Sequence, residues 1–170
     1  SALTLRFYMT GDEYLPAGAR LRRVEDIVSR VEALPDVEAA FASNWIPISG
    51  GGGGGLVEVE GRFQEERDRR RIALVAATPN VHRTLGLRLV SGRDFEASDS
   101  NRPVAIINEA MAKRLWPNEN PLDRRFRIRT PDGVRDWLTV IGVVSNAQLF
   151  GINPSEAEVP ATAVAPYTQG

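Results

Sequence analysis

The chain holds one histidine, His82, and no cysteine. Any chemistry it performs must therefore use carboxylates, hydroxyls, amides and guanidinium groups around a single imidazole. Missing thiols remove disulfides, thiolate metal sites and cysteine nucleophiles, and they fit an oxidising compartment. A Ser-His-Asp arrangement would have to use His82, yet no nucleophile motif lies near it, and it falls on a short capped helix. His82 is therefore read as a helix-surface or partly buried residue. A zinc site would need carboxylates for every remaining protein ligand, whereas structural sites use cysteine and histidine. Acids stand in pairs at Glu65-Glu66 and at Asp94 with Asp99. Glycosidase-type chemistry needs two carboxylates across a cleft with pKa values pushed apart, and acids in charged loops are ordinarily solvated. The expectation is no catalytic residue, no cofactor and no metal.

Six consecutive glycines at residues 50–55 satisfy a G-x-G-x-x-G pattern trivially. A phosphate loop needs a strand before it and a helix whose N-terminal amides receive the phosphate. Here a strand follows, and no Gly-Lys-Ser/Thr is present, so the run is read as a mobile loop. Residues 67–71 (Arg-Asp-Arg-Arg-Arg) are basic, but Glu65, Glu66 and Asp68 cancel most of their field. The formal net charge is −1, without the basic excess of a duplex-binding domain, so nucleic acid is not an expected partner. Trp137 is expected in the core. Trp45 and Ile46, beside the glycine run, are either core or an apolar tip that meets a partner. With Gly52 they form the candidate partner-contact set.

The elements that must position these residues follow from periodicity. Residues 3–9 alternate as an opening strand. Leu21, Val24, Ile27, Val28, Val31 and Leu34 recur at helical spacing with a wet face carrying Asp26 and Arg30, and Pro35 ends the helix. Residues 37–43 read as a strand, completing a strand–helix–strand unit. Residues 56–60 alternate as a strand with one wet face, and residues 72–77 form a short apolar strand. Thr78 is the expected N-cap of a short helix with Pro79 first and Gly86 as stop. Strands are expected at 87–90 and 104–107, and Asn108 caps a helix closed by Pro117. A hairpin over 125–130 and 135–145 turns at Pro131-Asp132-Gly133. Its arm from Trp137 to Val144 is expected to be the most buried strand, and 159–167 the last. With 42% hydrophobic and 25% charged residues, the chain has the composition of a folded globular protein. The fold class is α+β: two small mixed α/β subdomains, residues 1–61 with the strand–helix–strand unit and glycine loop, and residues 62–170 with a mixed sheet.

Several segments in order resemble one family. The first includes Ala77-Thr78-Pro79-Asn80, then Leu85-Gly86-Leu87 and Gly92-Arg93-Asp94-Phe95. The second includes Val104-Ala105-Ile106-Ile107-Asn108-Glu109, Trp116-Pro117 and Asn120-Pro121-Leu122. The third is Val140-Ile141-Gly142-Val143-Val144, and the close is Pro166-Tyr167-Thr168-Gln169. Together with Leu34-Pro35-Asp36-Val37 and Ile46-Pro47-Ile48-Ser49-Gly50, they resemble the MacB-like periplasmic core domain of ABC transporter permeases of the FtsX-like class, over residues 16–169. Two positions depart from the pattern: Val81-His82 stands where the family carries an aromatic pair, and Asp123 where glycine is common.

The resemblance implies a porter-like first part and a role without active-site residues. Such a domain lies on the extracytoplasmic, periplasmic side of the cytoplasmic membrane, between two transmembrane helices of its permease. No run here approaches the ~20 apolar residues of a membrane span, and the start at Ser1-Ala2 fits a segment excised from between such helices. A further strand–helix–strand piece normally follows the closing motif in the family. The resemblance further implies coupling of transmembrane-helix motion to a partner or substrate outside the membrane. The implied partners are a cytoplasmic ATPase domain or subunit, a second permease copy, and a periplasmic adaptor or the substrate itself. The rival expectation is a ligand- or lipid-sensing domain, which would need an apolar cavity.

Overall fold

A computed structural model describes residues 3–9, 18–44, 53–62, 71–146 and 161–167. Helix α1 (Ala19–Glu32) forms where the helical stripe predicts it. Of that stripe Val24 is fully buried, while Leu34, beyond the helix end, is 56% exposed. The helix stops at Glu32, ahead of Pro35, because proline restricts the backbone of the residue before it. Asp26 binds Arg23 at 3.2 Å and Arg30 at 3.0 Å on the wet face.

The strands expected on either side of α1 do not form. Residues 3–9 have no regular secondary structure, and Leu3, Leu5, Phe7 and Tyr8 are exposed. Alternation makes a strand only where a neighbour supplies the ladder, and none does so among the described residues. Residues 37–43 contribute one bridge, Ser43 opposite Ala77. That bridge is flanked by Thr78 N to Ala42 O at 2.9 Å and Asn44 N to Ala76 O at 3.1 Å.

The remaining chain builds one sheet from β1 (Gly53–Val59), β2 (Arg71–Ala77), β3 (Leu89–Gly92), β4 (Val104–Asn108), β5 (Arg125–Thr130), β6 (Gly133–Val134), β7 (Leu138–Val144) and β8 (Thr162–Pro166). Its order is β3-β7-β4-β8-β2-β1-β5-β6, and β5 also pairs with β7 through Arg125↔Thr139 and Phe126↔Leu138. The strands β7, β4, β8, β2, β1 and β5 therefore close into a ring, which removes the free edges an open sheet would present. Only β2–β8 and β4–β7 are parallel. β1 lies on the N-terminal side of the division expected after residue 61 and bonds to both β2 and β5, so the sheet runs across that division.

Gly53–Gly55, expected within a mobile loop, are the first residues of β1. The reason is steric. A Cβ at Gly54 would stand 2.4 Å from Ile72 O, and one at Gly55 would stand 2.2 Å from Arg129 O. The strand threads between its neighbours where no side chain fits.

Val57, Ile72, Ala105, Ile107, Phe126, Ile128, Val140 and Ala163 share one continuous core. Helix α3 (Glu109–Leu115) closes it with Met111 and Leu115, joined by Trp116. Asn108 caps α3 as expected, its Oδ1 accepting from Met111 N at 2.9 Å, and it also accepts from Thr162 N at 3.0 Å. A second core lies on the opposite face: Val75, Ala77, Val81, Phe95, Val104, Ile106 and Val164. Because β4 has a core on each face, all five of its residues are buried. It, and not the arm ending at Val144, is the most buried strand; β7 leaves Leu138, Thr139 and Ile141 half-buried. The expected hairpin turns at Thr130↔Gly133, but its second arm breaks between Val134 and Leu138 before resuming as β7.

Candidate functional site

Trp45, Ile46 and Gly52 lie outside the described residues, as do Glu65, Glu66 and residues 67–70. The structure describes the anchor from which the Trp45 segment departs. Asn44 clamps β2 at both backbone polar groups of one residue: its amide donates to Ala76 O at 3.1 Å, and its Oδ1 accepts from Ala76 N at 3.0 Å.

Behind this anchor lies a polar cluster. Thr78, expected to cap helix α2 (Val81–Thr84), instead uses its Oγ1 to accept from Ala42 N at 2.9 Å. The N-cap is Asn80, at φ 70, and its Nδ2 donates to Glu32 Oε1 at 2.9 Å. Glu32 accepts from Ala40 N as well, at 3.2 Å. Gly86 stops α2 as expected. At φ 68 it closes a paired cap in which Leu87 N bonds His82 O and Gly86 N bonds Arg83 O.

His82 is buried more deeply than expected, at 3% exposure. Its Nδ1 lies 2.8 Å from Asp94 Oδ1, and its ring centroid is 6.2 Å from that of Phe95. The carboxylate draws the imidazole proton to Nδ1. Nε2 is buried and has no hydrogen-bond partner among the described residues. Asp94 also accepts from Phe95 N at 2.6 Å. Burial pushes the Asp94 carboxyl up, but the hydrogen bond and field of His82, with the Phe95 amide, outweigh it and hold the group below its ordinary value.

Asp94 and Asp99 do not face one another as an acid and a base. Arg93 grips both oxygens of the fully buried Asp99, at 2.6 and 3.0 Å, and Glu96 N donates to it at 3.0 Å. The Arg93 hydrogen bond overcomes burial and holds Asp99 at about 2, and Asp99 in turn raises Arg93. Both carboxyls are depressed, so they lack the split values that a general acid–base pair needs.

A second cluster lies on the outer face of β1 and β5. Glu58, expected on a wet face, is buried because Arg127 Nε and Arg129 Nη2 reach its two oxygens at 2.7 and 3.0 Å. Arg125 pairs with Glu60 at 3.0 Å. Trp137, expected in the core, is half-buried beneath this ladder, with the Arg127 and Arg125 guanidinium carbons 4.5 and 5.8 Å from its ring centroid. The two-residue spacing of Arg125, Arg127 and Arg129 opposite Glu58 and Glu60 carried this signal. The Glu32–Asn80 contact had no sequence signal, because its partners lie 48 residues apart.

Among the described residues no group of three His, Cys, Asp or Glu could hold a metal ion. A cleft lined by Leu21, Glu25, Thr78, Pro79, Phe95 and Tyr167 encloses about 10 Å³, room for a single water. No described helix is long and apolar enough to cross a membrane. Among the described residues these contacts tie separate elements together.

Comparison with known proteins agrees on one family. The profile of the MacB-like periplasmic core domain matches residues 4–169. No curated protein matches the chain significantly. Among solved structures, the periplasmic region of MacB from Actinobacillus actinomycetemcomitans is similar at 19% identity and a TM-score of 0.55, over 84% of this chain and 54% of that one. The extracellular domain of the noncanonic ABC-type transporter YknZ from Gram-positive bacteria is similar at 20% identity and a TM-score of 0.53, over 95% of this chain and 71% of that one. The chain thus spans about half the length of the MacB periplasmic region. At these identities the likeness is one of fold, and the family profile carries the assignment. In the turn after Leu122, Asp123 adopts φ 63, the left-handed conformation that glycine takes readily. The chain belongs to the MacB-like periplasmic core domain family, the extracytoplasmic domain of ABC transporter permeases.

Proposed function

We propose that the domain works as a mechanical coupler, passing motion of the permease's transmembrane helices to a partner or substrate outside the membrane. The observation that supports this reading is the unequal attachment of its parts. The ring of strands is closed and filled by a continuous core, whereas α1 and residues 33–44 lie outside that core and meet the ring through the polar contacts at Asn44, Ser43, Thr78 and Asn80 and the packing of Phe41 against the second core. A firm body and a lightly fastened arm can shift against each other without unfolding either. On this reading ATP hydrolysis belongs to a cytoplasmic domain or subunit of the same transporter, and a second permease copy supplies the other half. Trp45, Ile46 and Gly52, beyond the Asn44 anchor, are the elements that meet a periplasmic adaptor or the substrate.

The test uses the chain's lack of cysteine. Ser43 and Ala77 are antiparallel bridge partners, and the bonds at Ala42–Thr78 and Asn44–Ala76 make them a non-hydrogen-bonded pair. Such a pair has Cα atoms about 4.5 Å apart, within the span of a disulfide. In the assembled transporter, Ser43→Cys with Ala77→Cys should lower ATP turnover when oxidised, and reduction should restore it. Turnover indifferent to the oxidised crosslink would reject the coupling role of the arm.

A further inference from the structure

The contact between α1 and the ring does not end at Asn80. Glu32, at the end of α1, accepts a hydrogen bond from Asn80 Nδ2 at 2.9 Å. Asn80 O in turn accepts from Thr84 N at 2.9 Å, so its backbone belongs to the single turn of α2, too short to bend. His82, on that turn, bonds Asp94 at 2.8 Å. Asp94 O receives Arg93 Nη1 at 2.9 Å, and Arg93 N donates to Ile141 O on β7 at 3.0 Å. Arg93 cannot swing away, because Asp99 holds its guanidinium at two points. The neighbouring Gly92 leaves no slack, since a Cβ there would lie 2.2 Å from Ile141 O. The far side of the imidazole, Nε2, is buried without a partner among the described residues. In this network Asp94 is therefore the imidazole's one polar tether.

We propose that Glu32, Asn80, His82, Asp94 and Arg93 form a polar relay that carries a displacement of α1 to the corner where β3 meets β7. The Glu32–Asn80 bond is its input and the Arg93–Ile141 bond its output. The relay rests on the coupling reading and gives it a route through this chain. Three of its bonds cross between elements, Glu32–Asn80 from α1 to α2, His82–Asp94 from α2 to the loop after β3, and Arg93–Ile141 from that loop to β7; the α2 turn and the adjacent Arg93 and Asp94 join them, so a shift at one end has little local place to relax. His82 fits this role better than the aromatic residue common at that position. An aromatic ring fills the same volume, whereas an imidazole with one bonded nitrogen also pulls on the carboxylate.

Backbone amide exchange on this chain tests the relay without the rest of the transporter. Asn80→Gly keeps the left-handed backbone at no steric cost and deletes only the side-chain donor. It should accelerate exchange at residues 91–95 by about 2- to 30-fold, the range of couplings that such networks carry, while β4 stays unchanged. Combined with Asp94→Ala, which removes the acceptor of the His82 bond, its effect at those amides should shrink, because the second change has already cut the line. Acceleration confined to residues 32–40 and 80–84, or effects of the two changes that simply multiply, would overturn the relay. Should Asn80→Gly lose its fold, Glu32→Ala makes the same comparison by removing the acceptor of that bond. A relay that passes in a transporter indifferent to the Ser43–Ala77 crosslink leaves this inference standing and removes the coupling reading. A transporter that responds to the crosslink while residues 91–95 stay silent removes the relay alone.

Discussion

Asp99 has no contact with solvent and keeps its charge, because Arg93 occupies both of its oxygens. Its folded-state carboxyl, at about 2, lies below the ordinary 3.8. A depressed acid stabilises the fold above its unfolded pKa and loses that contribution as pH falls through its folded pKa. The contribution is therefore full above about pH 5 and gone below pH 2, and amounts to about 2 kcal/mol. Asp99→Asn should lower the unfolding free energy from urea titration at pH 7 by that amount and flatten its decline between pH 5 and pH 2. Asp94 is shifted in the same direction and adds to the slope. Asp123 calls for the opposite outcome. Held at φ 63 where glycine is common in the family, it should gain about 0.5–1 kcal/mol on Asp123→Gly, read as a raised melting temperature. Lone residues of this kind were only partly legible in the sequence. The departure at Asp123 was visible, but its backbone angle was not, and the burial of His82 depended on Asp94 and Phe95 arriving from the next loop.

The elements divide according to whether their pattern is local. Helices α1 and α3, with the Asn108 cap and the Gly86 stop, were readable because their signals lie within a few residues. The strand expected at 3–9 carried a local pattern but has no ladder partner among the described residues, and that expected at 37–43 pairs only through the Ser43–Ala77 bridge. The glycine run misled for the converse reason. Conformational freedom is a property of glycine in isolation, whereas Gly54 and Gly55 are fixed by the closeness of β2 and β5. Gly55→Val should therefore cost about 3 kcal/mol or abolish folding, measured by thermal unfolding; in a mobile loop the same change would be nearly neutral. The arginine ladder gives a second element-scale prediction. Glu58 is buried between Arg127 and Arg129, while Glu60 is exposed beside Arg125. Glu58→Gln should cost about 1–3 kcal/mol and Glu60→Gln less than about 1 kcal/mol, compared by urea midpoint.

At the scale of the whole molecule, ring closure was out of reach of the sequence. The β5–β7 pairing was within reach as the expected hairpin, but the pairing of β1 with β5 and the insertion of β8 between β4 and β2 join residues far apart in the chain. The family was legible because its short motifs mark the joints: Gly92 against β7, Asn108 between α3 and β8, and Pro166 in β8 opposite Ala77. These joints make a firm body, and the polar contacts around Asn44 and Asn80, with Phe41 against the second core, attach an arm to it. The central claim is that this arm moves relative to the body when the transporter works. Spin labels at Arg30→Cys on α1 and Val134→Cys on β6, both exposed sites in a chain free of native thiols, would report that separation in the assembled transporter. The account predicts distance distributions that differ between the nucleotide-free and ATP-bound states. Identical distributions in the two states would contradict it.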